Sequence, residues 1–197
     1  MNLTPAEQSD LVFACHRGDS EAFGKLYEHF VEPIYNFIFY KTHHKETAED
    51  LTSQTFFKTL DSINKCDPTQ GTFSSWIYRI ARNTVTDHYR TQKHHSDIEE
   101  ALDLHDGKNG EIDAHNRIEL AKVKAYLKTL SAEQRDIIIL RLWQEMSFAE
   151  VAAIMGKSEA SCKMSLKRTL EKLRSDLGSG AMLLLASPFV VHSIWTI

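Results

Sequence analysis

Residues 147–174 read SFAEVAAIMGKSEASCKMSLKRTLEKLR. Ser147, followed three positions later by Glu150, forms a capping box, so a helix is predicted to begin here. That helix is expected to end just before Gly156, because glycine readily adopts the left-handed conformation that closes a helix. Ser158 then caps a second, longer helix. A short helix, a glycine-bearing turn and a longer helix are the parts of a helix-turn-helix that reads DNA.

The longer helix carries an excess of positive charge. Residues 157–174 hold six basic side chains and two acidic ones. Lys163 and Lys167, four residues apart, share a face that we expect to lie roughly opposite a buried leucine stripe. Long cationic side chains near a helix start reach base edges and phosphates in the major groove. A solvated helix in an ordinary bundle has the same pattern, so this segment alone leaves both interpretations open.

An acidic stretch separates this region from the rest of the chain. Residues 96–116 contain seven acidic side chains and one lysine. Such a composition favours a solvated linker. We therefore expect a helical N-terminal domain over about residues 5–95, a C-terminal helix-turn-helix domain over about 117–178, and a hydrophobic tail over 179–197.

The N-terminal region is predicted to be helical, because apolar residues recur at three- and four-residue spacing. Thr4-Pro5 and Asp19-Ser20 are predicted helix starts, and Thr47 is a third. Pro33 is expected to interrupt the second helix or to begin the next segment. The third helix is expected to include the apolar residues Leu51, Phe56, Phe57, Leu60 and Ile63.

A loop is predicted from Asn64 to Thr72, followed by a long amphipathic helix over residues 73–90. Most of its large apolar side chains are expected to face the core: Phe73, Trp76, Ile77 and Ile80. Packing does not explain why this helix also carries four polar side chains, those of Arg79, Arg82, Asn83 and Arg90. Unpaired DNA is held by stacking on flat side chains and by cations that follow the backbone, so this helix suits such a ligand.

The bulk composition indicates an ordinary globular protein. Hydrophobic residues make up 42% and charged residues 25% of the 197 residues, and the net charge is −4. The three widely spaced cysteines are typical of a reducing compartment rather than of a disulfide framework. The N-terminus lacks a basic stretch followed by an apolar core, so we expect no signal peptide and a cytoplasmic protein.

The ten histidines raise the question of a metal site or of an enzyme. His43-His44 and His94-His95 are adjacent pairs, whose side chains point in different directions, and neither has a cysteine or carboxylate at a known ligand spacing. No phosphate-binding loop, nucleophile elbow or paired-carboxylate motif is present. We therefore expect no metal, no cofactor and no catalytic residue.

The tail from Ala181 to Ile197 contains no Asp, Glu, Lys or Arg. As a helix it would span about 26 Å, short of a hydrocarbon core of roughly 30 Å, and Pro188 would kink it. An exposed apolar segment normally marks a contact. Three destinations remain open: the protein's own domains, a weak membrane association, or a partner protein.

Several segments, taken in order, resemble the extracytoplasmic-function, or group 4, sigma factors of the sigma-70 family. Asp10-Leu11-Val12 with the segments 18–23 and 26–27 is similar to the start of region 2. Ala48-Glu49-Asp50-Leu51-Thr52 with Thr55-Phe56 resembles the helix that docks on the clamp of the polymerase. Residues 73–90 are similar to the promoter-melting segment, and residues 130–174 resemble region 4. The family commonly has Gln and an acid after Asp-Leu-Thr, where this chain has Ser53 and Gln54.

The resemblance implies an all-α sigma factor that binds core RNA polymerase and promoter DNA without catalysis, and it admits an anti-sigma factor as a further partner. Polymerase contacts are expected from Asp50, Leu51 and Gln54. Contacts with the −10 element are expected from Arg79, Arg82, Asn83, Asp87 and Arg90, together with the loop from Asn64 to Thr72. Contacts with the −35 element are expected from Ser158, Lys163, Met164, Lys167 and Arg168.

A stand-alone transcription regulator is the alternative. It would bind DNA through the C-terminal domain and a ligand through the N-terminal one. Association with core polymerase and initiation from a promoter distinguish the two, because only a sigma factor does both.

Overall fold

The computed structural model describes residues 3–95, 122, 125–127 and 129–177. No strand occurs within these ranges, and the prediction of an all-α fold is confirmed. A 3-10 turn, Ile63–Lys65, follows the third helix, and a π-helical turn, Ile139–Trp143, follows the fifth. The helices whose bounds fall within the described ranges are α1 (Pro5–His16), α2 (Ser20–Thr42), α3 (Lys45–Ser62), α4 (Phe73–His95), α5 (Ala132–Ile138), α6 (Phe148–Met155) and α7 (Glu159–Leu177).

The first two helices begin where their capping residues predict. The Thr4 hydroxyl accepts from the Glu7 backbone N–H, and the Glu7 carboxylate accepts from the Thr4 N–H at 2.7 Å. The Asp19 carboxylate accepts from two backbone N–H groups in the first turn of α2. Between α1 and α2, Gly18 has a φ of 87°, a backbone conformation that residues with a Cβ rarely adopt.

Pro33 lies inside α2, so the prediction that it interrupts the helix is wrong. The reason is tertiary packing. Phe30 and Ile34 on either side of the proline are buried in one core, and so are Leu26 and Phe37 one turn further out. Burying each such side chain stabilises the fold by about 1.5–3 kcal/mol, which together outweighs the roughly 3 kcal/mol that an interior proline costs.

Replacing Pro33 by alanine is expected to raise the free energy of unfolding by about 2 kcal/mol. Removing the interior proline restores about 3 kcal/mol, and the freer unfolded chain offsets up to about 1 kcal/mol of it. Urea unfolding measures the difference, with the exposed neighbour Glu32→Ala as the matched control. A Pro33→Ala variant no more stable than that control would contradict the account.

The third helix begins two residues before the predicted start at Thr47. His44 is its N-cap, and the imidazole Nδ1 accepts from the Thr47 backbone N–H at 3.2 Å. His43 closes α2 in the left-handed conformation with a φ of 53°. His43 and His44 therefore serve as helix caps, a role that residue spacing did not indicate.

The N-terminal core forms where α2 packs against α3 and α4. Phe37 meets Tyr78 edge to face with ring centres 5.4 Å apart, and Phe30 meets Phe73 at 5.2 Å. Both edge-to-face pairs add to the stabilisation from burial. Of the side chains predicted to face inward from α4, Phe73 and Ile77 are buried, whereas Trp76 and Ile80 are half-buried. The opposite side of α4 is left facing outward.

The C-terminal unit contains the predicted helix-turn-helix. Ser131 forms a capping box with Gln134, and Ser147 forms one with Glu150. Gly156 ends α6 with a φ of 65°, and the Ser158 hydroxyl accepts from the Ser161 backbone N–H at the start of α7. The buried apolar residues of this unit include Ile137, Ile138, Leu140, Val151, Cys162, Leu166 and Leu173.

The chain divides into two compact units, one N-terminal and one C-terminal. The predicted acidic linker, residues 96–116, and the hydrophobic tail, residues 179–197, lie outside the described residues, so those two predictions stand as they are. In the part of the chain that the structure describes, no helix is long and apolar enough to cross a membrane.

Candidate protein and nucleic-acid interfaces

The outer side of α3 combines an acid, an amide and large apolar side chains. Asp50 and Gln54 are exposed, and Phe57, three residues beyond Gln54, is 74% exposed. At 3.6 residues per turn, these three side chains fall within about 60° of one another around the helix. Leu60 at the edge of this surface is 51% exposed. We call the surface formed by Asp50, Gln54, Phe57 and Leu60 the α3 face.

The structure separates the apolar residues predicted on α3 into buried and exposed ones. Leu51, expected to contact polymerase, is 1% exposed and so lies in the core rather than on the α3 face. Phe57 and Leu60 lie at the surface. Helical spacing already indicated the position of Phe57, since it follows Asp50 by seven residues and must lie on the same side of α3. An exposed phenylalanine next to an exposed leucine is typical of a protein contact.

One side of α4 gathers the polar residues singled out in the sequence. Arg79, Asn83 and Arg90 fall within about 40° around the helix, all of them exposed. Arg82 and Asp87 flank them on either side. The Arg90 guanidinium lies 3.1 Å from the Asp87 carboxylate, with both side chains at least half-exposed, so the pair contributes little to stability. We call these five residues the α4 face.

The loop between α3 and α4 is organised by Asp67. Its carboxylate accepts from the Thr69 backbone N–H at 2.9 Å, from the Thr69 hydroxyl at 2.7 Å and from the Gln70 amide at 2.8 Å. These hydrogen bonds, those from Thr69 foremost, hold the pKa of Asp67 below its usual value. The carboxylate therefore stays ionised at neutral pH, and its contribution to loop order is lost only as the pH falls below about 3.9.

Cys66 anchors the start of this loop. Its side chain is 2% exposed, and burial, followed by the charge of Asp67 and by Cys15, raises the pKa of the thiol to about 11. At neutral pH the thiol is protonated and behaves as a small apolar side chain. All three cysteines are free thiols.

On α7, the side opposite the core presents Met164 and Arg168. Met164 is 47% exposed, and Arg168 follows it by four residues and is also exposed. The long side chains of such a pair, in the first half of a helix that a turn separates from α6, extend away from the domain. This matches the placement of a recognition helix whose early residues reach base edges.

Lys163, predicted to lie roughly opposite the core together with Lys167, lies closer to the core. Lys163 precedes Leu166 by three residues and Leu170 by seven, which places it beside that stripe. Its ammonium lies 5.4 Å from the centre of the Phe148 ring. Both lysines also make ion pairs with acids four residues away, Lys163 with the preceding Glu159 at 3.3 Å and Lys167 with the following Glu171 at 3.7 Å. These exposed pairs are weak enough for both lysines to exchange an acid for a phosphate.

Ser158, expected among the DNA contacts, is engaged in capping α7. No cluster of three or more His, Cys, Asp or Glu side chains within the described ranges could hold a metal ion. Apart from Leu51, Ser158, Lys163 and Lys167, the expected contact residues lie on three surfaces, which are the α3 face, the α4 face and the outer side of α7.

Comparison with known proteins identifies the two units. The Sigma-70 region 2 family matches residues 26–95, and the Sigma-70 region 4 family matches residues 120–173. The chain is 32% identical over 177 residues to the ECF RNA polymerase sigma factor BldN of Streptomyces coelicolor, covering 87% of this chain and 67% of that protein. It is 26% identical over 152 residues to the ECF RNA polymerase sigma factor SigM of Bacillus subtilis, covering 77% and 92%.

Solved structures show the same fold. CnrH in complex with the cytosolic domain of CnrY matches with a TM-score of 0.65 at 23% identity, covering 87% of this chain and 97% of that one. The sigma factor RpoE in complex with the anti-sigma factor NepR from Bartonella quintana matches with a TM-score of 0.62 at 23% identity, covering 78% and 94%. The chain therefore belongs to the extracytoplasmic-function group of the sigma-70 family of RNA polymerase sigma factors.

Proposed function

We propose that this sigma factor binds core RNA polymerase through the α3 face and promoter DNA through the α4 face and α7, and that it acts by binding alone. The single observation that carries the proposal is the 74% exposure of Phe57 beside Asp50 and Gln54. This combination fits a partner that supplies both basic and apolar groups. In this proposal the catalytic residues of transcription belong entirely to the polymerase.

The α3 face has the composition of a protein interface. Aromatic side chains at the centre of an interface supply most of the binding energy, and charges at the rim steer the encounter. Phe57 takes the central role here, with Leu60 beside it. Asp50 supplies the charge that attracts a basic clamp surface, and Gln54 adds a hydrogen-bonding group in place of the family's usual residue.

The α4 face has the composition of a single-strand interface. Arg79, Arg82 and Arg90 supply cations for backbone phosphates, and Asn83 offers an amide that both donates and accepts hydrogen bonds to a base edge. The loop ordered by Asp67 precedes the same helix. We infer that Asn83, Asp87 and this loop receive an unstacked base of the −10 element.

On α7, we propose that Arg168 and Met164 read base edges of the −35 element. Arginine makes bidentate hydrogen bonds to guanine, and an apolar side chain contacts the methyl group of thymine. Lys163 and Lys167 on the flank of the helix bind phosphates, which fix position without reading sequence. Ser158 acts indirectly by fixing the start of α7.

An anti-sigma factor is the further partner that we propose. The CnrH and RpoE chains, both similar in fold, were each solved bound to another protein, in the case of RpoE an anti-sigma factor. An inhibitor that covered the α3 face would place its own apolar side chains on Phe57 and Leu60. We expect this regulation to take place in the cytoplasm, where polymerase works.

The proposal is tested by reconstitution. The purified chain is mixed with core polymerase from a bacterium, and run-off transcripts are sequenced over genomic DNA. We expect the chain to comigrate with core polymerase in gel filtration and to direct initiation at a defined set of promoters. A chain that binds DNA fragments but neither comigrates with the core nor directs initiation is a stand-alone regulator, and the proposal falls.

Replacing Asn83 by alanine is expected to reduce promoter opening about tenfold, because a lost base contact costs on the order of 1–3 kcal/mol. Permanganate reactivity of unpaired thymines in the −10 element measures the open complex. Thr91→Ala, an exposed site further along the same helix, is the matched control. Equal opening by the Asn83 variant and the control would remove Asn83 from the interface.

A further inference from the structure

An open, apolar groove of about 430 Å³ runs along one flank of α7. Phe148 at the start of α6 and Leu166 and Leu170 on α7 supply its apolar lining. Phe148 and Leu170 are each half-buried, so part of their apolar surface faces solvent. Leaving such surface in water is unfavourable by about 25 cal/mol for each Å². The groove therefore favours an apolar occupant.

The rim of the groove carries three basic side chains and one acidic side chain, Glu171. Lys163 and Lys167 line it, and Arg174 lies at the end nearest the C-terminus of α7. Lysine side chains present aliphatic stems to an apolar neighbour while their ammonium groups stay in water. The same two lysines are among the expected contacts with −35 DNA, so whatever fills the groove also restrains or covers them.

The rest of the chain supplies a fitting segment. Residues 181–197 carry no Asp, Glu, Lys or Arg, and three residues separate them from Leu177, where α7 ends. The connecting residues 178–180 are Gly-Ser-Gly, which allow the chain to reverse and span up to roughly 10 Å. Arg174, the near end of the groove, lies less than one turn before Leu177.

The lengths also agree. The groove residues from Lys163 to Arg174 cover about 16 Å of helix at 1.5 Å per residue. The seven residues from Ala181 to Ser187 would span about 10 Å as a helix and about 23 Å extended, so their length is comparable with that of the groove in either conformation. A short flexible tether gives a segment a millimolar effective concentration. A contact whose dissociation constant is below about 1 mM is therefore occupied most of the time.

We propose that residues 181–197 seat in this groove and hold Lys163 and Lys167 away from −35 DNA, so that the tail restrains the factor until polymerase or DNA displaces it. The inference rests on the proposed −35 function of α7 for its regulatory consequence, but not for the docking itself. If the tail is seated in about nine of ten molecules, the apparent DNA affinity is about tenfold lower than that of the open form.

The docking is tested by NMR on the full chain and on a chain ending at Gly180. We expect the signals of Phe148, Lys163, Leu166 and Leu170 to differ between the two proteins, while those of the N-terminal unit agree. In the full chain, Leu170→Gln is expected to move the remaining groove signals toward those of the shortened chain. Ser175→Gln, on an exposed part of the same helix, is the matched control and should leave them unchanged.

The regulatory consequence is tested by binding to −35 duplex DNA. Deleting residues 181–197 is expected to raise the affinity about tenfold, and Leu170→Gln in the full chain about threefold, with no further gain when both changes are combined. Circular dichroism confirms that each variant remains folded.

Groove signals that are the same with and without the tail would overturn the inference. Flotation of the full chain with phosphatidylglycerol vesicles, in that case, would assign the tail to lipid. Altered groove signals with unchanged DNA affinity would show that the tail docks but that Lys163 and Lys167 do not serve −35 binding. Loss of DNA binding in Lys163→Ala, with no effect of the tail on the groove signals, would keep the proposed function and reject the docking.

Discussion

Replacing Phe57 by glutamate is expected to weaken binding to core polymerase at least about 30-fold, because a buried aromatic anchor contributes about 2 kcal/mol or more and a buried charge adds a further penalty. The side chain is 74% exposed in the free chain, so the substitution removes little packing and the fold should remain intact. A fluorescence titration with core polymerase measures the affinity, and circular dichroism verifies the fold.

The matched control is Phe13→Glu, which introduces the same charge at another exposed aromatic residue, on α1. We expect this variant to bind core polymerase normally. Asp50→Lys, on the α3 face itself, should give a smaller loss that fades at high salt, because screening acts on charge and not on apolar contact. Equal affinities for the Phe57 and Phe13 variants would show that the α3 face is not the docking surface.

Replacing Arg168 by alanine is expected to reduce affinity for the cognate −35 element by about 1–3 kcal/mol, or roughly 5- to 150-fold, if the guanidinium makes a bidentate contact with a base. Affinity for a scrambled duplex should fall much less, since phosphate attraction remains. The same comparison for Met164→Ala should show a smaller loss limited to sequences that place a thymine methyl group against it. Fluorescence anisotropy with both duplexes gives the ratio.

Lys172→Ala is the comparison for Arg168. It lies on the same helix and is exposed, but we expect it to serve phosphates only. Its loss should be alike for cognate and scrambled DNA and should lower the salt dependence by about one phosphate contact. If the Arg168 and Lys172 variants lose the same affinity on both duplexes, α7 does not read bases and the −35 assignment is wrong.

Local sequence signals determined where most helices begin. The capping boxes at Thr4, Ser131 and Ser147 each place a hydroxyl and a carboxylate or amide three residues apart, and those atoms meet within a single turn. Gly18 and Gly156 likewise mark helix ends, because positive φ values strain residues that have a Cβ. Such signals need no information from the rest of the chain.

The predictions that were wrong depended on distant parts of the chain. Pro33 was expected to end a helix, but the core on both sides of it keeps α2 continuous. Phe57 is hydrophobic, yet its side chain is 74% exposed on α3. Hydrophobicity indicates that a side chain seeks a contact, but not whether that contact lies within the domain or on a partner.

By itself, the sequence determined the helical class, most of the capping residues and the helix-turn-helix. It also determined the polar residues of α4, because helical spacing alone places Arg79, Asn83 and Arg90 together. Only the tertiary structure decided which side of each helix is covered. It buried Leu51, left Phe57 exposed and placed Lys163 against Phe148 at the edge of a groove. The physical reason is that periodicity fixes which residues share a side, whereas the packing of neighbouring helices fixes which side meets solvent.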